Sequence, residues 1–338
     1  MAPNPANALE TPLTRDLGID VPLICGAMYP CSNPELVAAV SEAGGIGVIQ
    51  PLSLVYVHRW DFEEGLRHIS SLTDRPLGMN VIVEKSVKKY REAMELYLDQ
   101  ALEHGVRFFV TSLGNPDWVV RKAHAVGGKV YHDVTSVKWA KKGLDAGVDG
   151  LIAVNDRAGG HAGNRTAAQL YEELSVFGVP LVLAGGVGDE TAFVDALDLG
   201  YDGCQLGTRF IATEECTAHD SYKQAVVDAG EEDIVLTERV TGVPVAVINT
   251  PHIQKVGTKA GPIARRMLKG RRTKHWMRSL YALQSVWKLK RSSMKEFSYK
   301  DYLQAGRSVE GVRAIEPAGD IVRRFAGALQ DARIGSAA

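Results

Sequence analysis

Three glycine-containing segments hold most of the residues in this sequence that could do chemistry. In PLVLAGGVGDETAFVDAL, Gly185 and Gly186 follow an apolar run and precede a helical pattern. Their backbone N–H groups are thereby left available to an oxyanion, and no side chain blocks its approach. Twenty-two residues later, GCQLGTRF places Gly207 and Thr208 in the same relation to the next apolar run. One such turn is as often only a tight connection; two at successive strand ends predict a phosphate site. The third segment, NDRAGGHAGNRT, sets Arg157 and His161 among Gly159, Gly160 and Gly163. A histidine there can carry a proton near neutral pH, and the glycines let the loop pass close to a flat ligand. The chain has no GxxxxGK[ST] and no GxGxxG opening a first helix, which disfavours a nucleoside triphosphate or a Rossmann-type dinucleotide site.

Other candidates stand at the ends of earlier apolar runs. In CGAMYPCSNPEL, Gly26 and Ala27 permit close approach and Met28 offers a polarizable contact to an aromatic ring. Asn80, in PLGMNVIV, brings an amide donor and acceptor to the same rim. His132 and Asp133 are adjacent in a strand, so only one of them faces the inside. Cys31 lacks a context that would depress its thiol pKa and is read as passive. Cys25, Cys31, Cys204 and Cys216 show no metal or disulfide spacing, so no metal site is expected.

Positioning these residues requires repeated strand and helix units. Eight short β-rich runs are predicted at Val21 to Cys25, Gly45 to Ile49, Leu77 to Val83, Arg107 to Ser112, Lys129 to Val134, Gly150 to Val154, Pro180 to Ala184 and Gly203 to Leu206. Amphipathic helical patterns separate them, and Gly44, Gly105, Gly147 and Gly200 stand where αL geometry suits a return into the next strand. Eight βα units predict an α/β protein with a (β/α)8 TIM barrel and an appended C-terminal helical region. The expected organisation is a barrel over 1–230, an inserted or appended mostly helical cap over 231–300, and a segment over 301–338 that returns to the barrel. Cys216 to Ala229 is the candidate for the last barrel helix.

The 338 residues are 45% hydrophobic and 23% charged with a formal net charge of −1, an ordinary globular balance without bias towards nucleic acid or membrane. The N-terminus lacks the pattern of a secretory signal, and a cytoplasmic location is expected. From Arg265 to Lys300, basic residues interleave with Trp276, Tyr281, Trp287 and Tyr299. Long basic side chains lying over a helical cap explain that pattern better than nucleic-acid contact.

The ordered motifs PLICGAM, AAVSEAGGIGVI, LTDRPLGMNV, RAGGHAG, AGGVGD and QLGTRFIATEEC, with QAGRSVEGV near the end, span most of the chain. Together they resemble the nitronate monooxygenase family, once called 2-nitropropane dioxygenases, and its FMN-dependent quinone-reductase and enoyl-acyl-carrier-protein-reductase relatives. The resemblance implies FMN, with contacts from Gly26, Ala27, Met28 and Asn80 and its phosphate on Gly185, Gly186, Gly207 and Thr208. It also implies His161 as the catalytic histidine, with Arg157, Gly160, Gly306 and Ser308 as further substrate or flavin contacts. The implied reaction is oxidation of alkyl nitronates with O2. NAD(P)H-dependent reduction of a quinone or enoyl thioester is the alternative, and a non-catalytic flavin-binding interaction protein is the reading from another class. A small-molecule partner is expected, with homo-oligomerisation left open. CGAM stands where many relatives have QGGM, Asp133 where some have a basic residue, and Arg157 where an acidic residue often precedes AGGH.

Overall fold

The structure, a computed structural model, describes residues 8–83, 88–240, 243–259 and 302–335. Eight parallel strands close into a barrel in sequence order: β1 (Leu23–Cys25), β2 (Ile46–Ile49), β3 (Leu77–Ile82), β4 (Phe108–Ser112), β5 (Lys129–Val134), β6 (Gly150–Val154), β7 (Leu181–Ala184) and β8 (Gly203–Leu206). Closure comes from β1 pairing with β8, Ile24 opposite Gln205. The strands are apolar on both faces because one faces the barrel interior and the other a helix. Ile24, Val48, Val110, Tyr131, Ile152 and Val182 belong to the interior cluster. The alternate residues Cys25, Ile49, Phe109, Val130, Leu151 and Leu183 join the larger core between strands and helices.

The helices between strands are α2 (Pro34–Glu42), α3 (Phe62–Leu72), α4 (Lys88–Glu103), α5 (Asp117–His124), α6 (Val137–Asp145), α7 (Ala167–Leu174) and α8 (Glu190–Asp198). A short α1 (Pro12–Leu17) precedes β1 and seals the lower end of the barrel. There the Tyr131 hydroxyl donates to Asp16 at 2.9 Å. Gly44, Gly105, Gly147 and Gly200 adopt φ values between +82° and +112°, as the tight returns require.

The eighth helical position is filled differently from expectation. After β8 come the single turn α9 (Thr208–Ile211) and α10 (Asp220–Asp228). The helix that packs against both α8 and α2, closing the outer ring, is the C-terminal helix Ala318–Gly335. Phe325 from it meets Phe193 of α8 with ring centroids 5.3 Å apart, and both are fully buried. Apolar surface left open between the first and last helices thus selects a distant segment over the nearer Cys216 to Ala229. Within 231–259 the chain forms an antiparallel pair, β9 (Ile234–Thr237) with β10 (Val245–Ile248), and the short α11 (Pro251–Val256). The basic aromatic stretch from Arg265 to Lys300 lies outside the described residues. Among the described residues, no helix is long and apolar enough to cross a membrane.

Candidate active site

The expected phosphate turns lie together at the C-terminal rim of β6, β7 and β8. Strand β7 ends at Ala184, whose carbonyl accepts from Asn155 N at 3.0 Å. The Asn155 amide then donates to Gly185 O at 3.0 Å, while its Oδ1 accepts from Arg157 N at 2.9 Å. Gly185 has φ +114° and Gly186 φ +83°. An added Cβ at Gly185 would overlap Asn155 Oδ1 and come within 2.6 Å of Ala158 N. At Gly186 it would stand 2.9 Å from Arg157 Nε. These glycines are therefore demanded by the close fit of two loops of the chain itself, a reason the sequence alone did not expose. Among the described residues, the N–H groups of Gly186, Gly207 and Thr208 make no turn or loop hydrogen bond and stay available as donors.

The end of the chain completes this rim. Gly306 N donates to Thr208 Oγ1 at 2.9 Å, and Arg307 N donates to Arg157 O at 2.9 Å. A Cβ at Gly306 would lie 2.5 Å from Gly159 N, and one at Gly188 would overlap Ser308 O. Thr208 accepts through its oxygen, so its hydroxyl proton is free to point elsewhere. Gly185, Gly186, Gly207, Thr208, Gly306 and Ser308 are thus drawn into one cluster from three separate stretches of chain.

The His161 loop arches over the same rim. Gly163 N donates to Asn155 O at 2.9 Å, closing the loop at its base. Gly160, at φ +66°, forms an isolated bridge with Ala246 of β10, whose N–H donates to Gly160 O at 2.8 Å. Further along the same edge β10 meets the returning chain, Ile248 N donating to Leu303 O at 2.9 Å, while its other edge pairs with β9. The unforeseen strand pair therefore braces the loop. Desolvation of the His161 ring by its neighbours lowers its pKa below the ordinary value of 6.5, so at pH 7 the ring is neutral. Arg157 turns from the loop to Glu231, Nη1 reaching Oε1 at 2.9 Å with a second contact from Nη2 to Oε2. This fork holds Glu231 below the usual carboxylate range and engages the cation that sequence reasoning offered to an anionic substrate.

Beneath the loops, three polar side chains interrupt the apolar barrel interior. Asn80 is buried, with Nδ2 donating to Val110 O at 3.3 Å. Asp133 takes the inward position on β5, because His132 turns outward: its Nδ1 lies 2.8 Å from Thr111 Oγ1 and its ring packs beside Gly143 of α6. Burial pushes His132 down to about 4. Across the barrel, Gln205 of β8 faces the Asp133 carboxyl, and its amide offsets part of the burial penalty on the charged form. Gln205 was not among the sequence candidates, although QLGTRF contains it. The cue was its place between Cys204 and Leu206, two buried apolar residues facing the other way. Gly26 leaves room for it, since a Cβ there would lie 2.9 Å from Gln205 Cγ.

Ala27 packs against the interior cluster, and Met28 lies over Gly207, its Sδ 3.6 Å from where a Cβ would stand. Met28 is anchored by Ser32, which accepts from its N–H at 2.9 Å, and by Ser53, which donates to its carbonyl at 3.2 Å. All four cysteines are buried free thiols, and no metal-ligand cluster occurs among the described residues. A cavity of about 470 Å³ opens at the opposite end of the barrel, beside Asp16, Leu77, Phe108 and Lys129. That end is where barrel loops carry stability rather than chemistry.

Several known proteins resemble this chain over most of its length. The family model for nitronate monooxygenase matches residues 10–326. A Rhodococcus jostii protein named (3aS,4S,5R,7aS)-5-hydroxy-7a-methyl-1-oxo-octahydro-1H-indene-4-carboxyl-CoA dehydrogenase is 31% identical over 72% of this chain and 67% of its own. A probable nitronate monooxygenase from Staphylococcus saprophyticus is 30% identical over 73% of this chain and 81% of its own. The structure of FabK from Thermotoga maritima superimposes with a TM-score of 0.79 at 26% identity, covering 97% of this chain and 98% of that one. With a barrel of this topology and a family match over nearly its whole length, the chain belongs to the nitronate monooxygenase family of flavin oxidoreductases.

Proposed function

We propose that this chain is an FMN-dependent oxidoreductase that oxidises alkyl nitronates with O2. The observation that carries the reading is the convergence of the Gly185-Gly186 and Gly207-Thr208 turns, the Gly306 to Ser308 segment and the His161 loop on one barrel rim. The donor set suits FMN. Available backbone N–H groups and the Thr208 hydroxyl match a phosphate, Met28 an aromatic ring, and Asn80 with Gln205 the mixed polar edge of a flavin. When bound, FMN supplies a two-electron acceptor that the side chains lack.

The protein residues bind, orient and move protons. Gly26, Ala27 and Met28 form the wall of the ligand site, and Gly160 fixes the loop by its bridge to Ala246. A nitronate arrives already deprotonated and needs only positioning. A neutral nitroalkane needs a base, and His161, neutral at pH 7, accepts the carbon-bound proton. The test is anaerobic bleaching of the bound flavin by ethylnitronate and propionate 3-nitronate, with O2 uptake on aeration. No bleaching by either compound overturns nitronate oxidation.

One observation favours a second reading, NAD(P)H-dependent reduction of a quinone or enoyl thioester. Arg157 is engaged by Glu231 and not held out to an anion. The Rhodococcus jostii relative is named as a dehydrogenase of a carboxyl-CoA, a thioester compound. Bleaching by NADH or NADPH with both nitronates inert selects it.

A further inference from the structure

We propose that Asp133, facing Gln205 across the barrel interior, is a protonatable hydrogen-bonding group in the floor of the flavin site, and that its charge state governs the pH dependence of cofactor binding. The inference rests on the FMN reading above and adds a residue role to it.

Strand register sets the geometry. Asp133 lies beside Ile152 of β6, two residues above Tyr131, and Gln205 lies between Ile24 of β1 and Ala184 of β7. The described interior side chains around this level are apolar: Ile24, Val48, Val110, Ile152, Val182 and Ala184. Asn80 and Gln205 are polar but neutral. Tyr131 is the titratable neighbour on the same strand, one layer lower, and its hydroxyl is already given to Asp16 of α1. Outside the barrel, His132 faces α6, with Lys142 acting on it from that side. No cation acts on the carboxyl among the interactions described; burial opposes its charge, and the Gln205 amide offsets this in part. The balance pushes Asp133 up to about 7, so the acid and carboxylate forms exchange near neutral pH.

Two oxygens remain without a hydrogen-bond partner among the described residues, Asp133 Oδ1 and Gln205 Oε1, and both are buried. Buried polar atoms are normally satisfied, so this pair points to a ligand that completes it. A carboxylic acid offers a proton and an amide oxygen accepts one. Their combined complement is an edge with a carbonyl beside an N–H, the imide chemistry of a flavin's pyrimidine ring. Once Asp133 ionises, the donor is lost and a negative charge confronts the carbonyl.

The test measures FMN affinity by fluorescence titration from pH 5.5 to 8.5 for the wild type, Asp133→Asn and Gln205→Leu, each checked for folding by circular dichroism. The expected wild-type affinity is level at low pH and falls about tenfold per unit above a midpoint near 7, with the bound-flavin absorption band shifting at the same midpoint. Asp133→Asn keeps a donor but cannot ionise, and its profile is flat. Gln205→Leu removes the amide that favours the charged form, and its midpoint moves upward. Wild-type affinity without a pH step, or a step that persists unchanged in Asp133→Asn, overturns the role while leaving the FMN reading intact. Failure of the wild type to take up FMN at any pH overturns the FMN reading, and this inference with it.

Discussion

At the scale of single residues, the charge states on the rim follow from what each side chain can reach. His161 loses solvent to its surroundings, so burial favours its neutral form. Arg157, four residues earlier, reaches away from the rim in a fork onto Glu231. A base held neutral matters only where a proton must leave carbon, and that separates two substrates of one enzyme. We expect His161→Asn to slow flavin reduction by neutral nitroethane by about 10²- to 10⁴-fold, the usual contribution of a positioned general base. Reduction by ethylnitronate, already deprotonated, should change by less than about tenfold, on the same principle. In the wild type the nitroethane rate should fall as pH drops through the His161 pKa, below 6.5, because only the unprotonated ring accepts a proton. Stopped-flow reduction under anaerobic conditions measures both; equal losses with the two substrates would assign His161 to binding instead.

At the scale of elements, the site is an interlock of loops, and this is where sequence reading reached its limit. The strands were legible because each is a short apolar run buried on both faces; the bounds of β5, β6 and β8 coincide with those expected. The turn residues were legible because glycine turns follow two successive buried runs, although the loop packing that demands Gly185 and Gly186 was not. Which of His132 and Asp133 points inward was not, since alternation fixes only that they differ, and the answer depends on pairing with neighbouring strands. The Arg157–Glu231 fork joins residues far apart in sequence, and β10 is defined by contacts on both its edges. Its run VPVAVI did carry a β-branched signal, obscured by the search for further βα units. The interlock predicts a cost for a small change. Gly185→Ala places a Cβ against Asn155 Oδ1 at φ +114°, and we expect a loss of about 1–3 kcal/mol from backbone strain alone. Urea unfolding should report that loss, and the displaced Asn155 loop should weaken FMN retention at urea concentrations where the fold persists.

At the scale of the whole molecule, the last helix makes the barrel and the ligand site depend on one another. The chain leaves the barrel after β8 and comes back to lay Gly306 to Ser308 across the phosphate turns. It then closes the outer ring by packing Ala318–Gly335 between α8 and α2. Anything that loosens this helix loosens the segment above the site, and a ligand gripping that segment favours the docked helix. Phe325→Ala tests the linkage from the outer ring, because Phe325 packs against Phe193 of α8 in the outer core. Removing a fully buried Phe costs about 3–5 kcal/mol, including the cavity left behind. For a chain of this size that lowers the melting temperature of the apoprotein by roughly 10 °C. FMN at one hundred times its dissociation constant returns about 2.7 kcal/mol to a folded state that alone binds it. The melting temperature should therefore recover most of the loss as FMN is added, while the variant's dissociation constant rises above that of the wild type. That rise separates coupling from simple destabilisation: if the outer helix and the phosphate turns were independent, Phe325→Ala would lower stability and leave the intrinsic affinity for FMN unchanged.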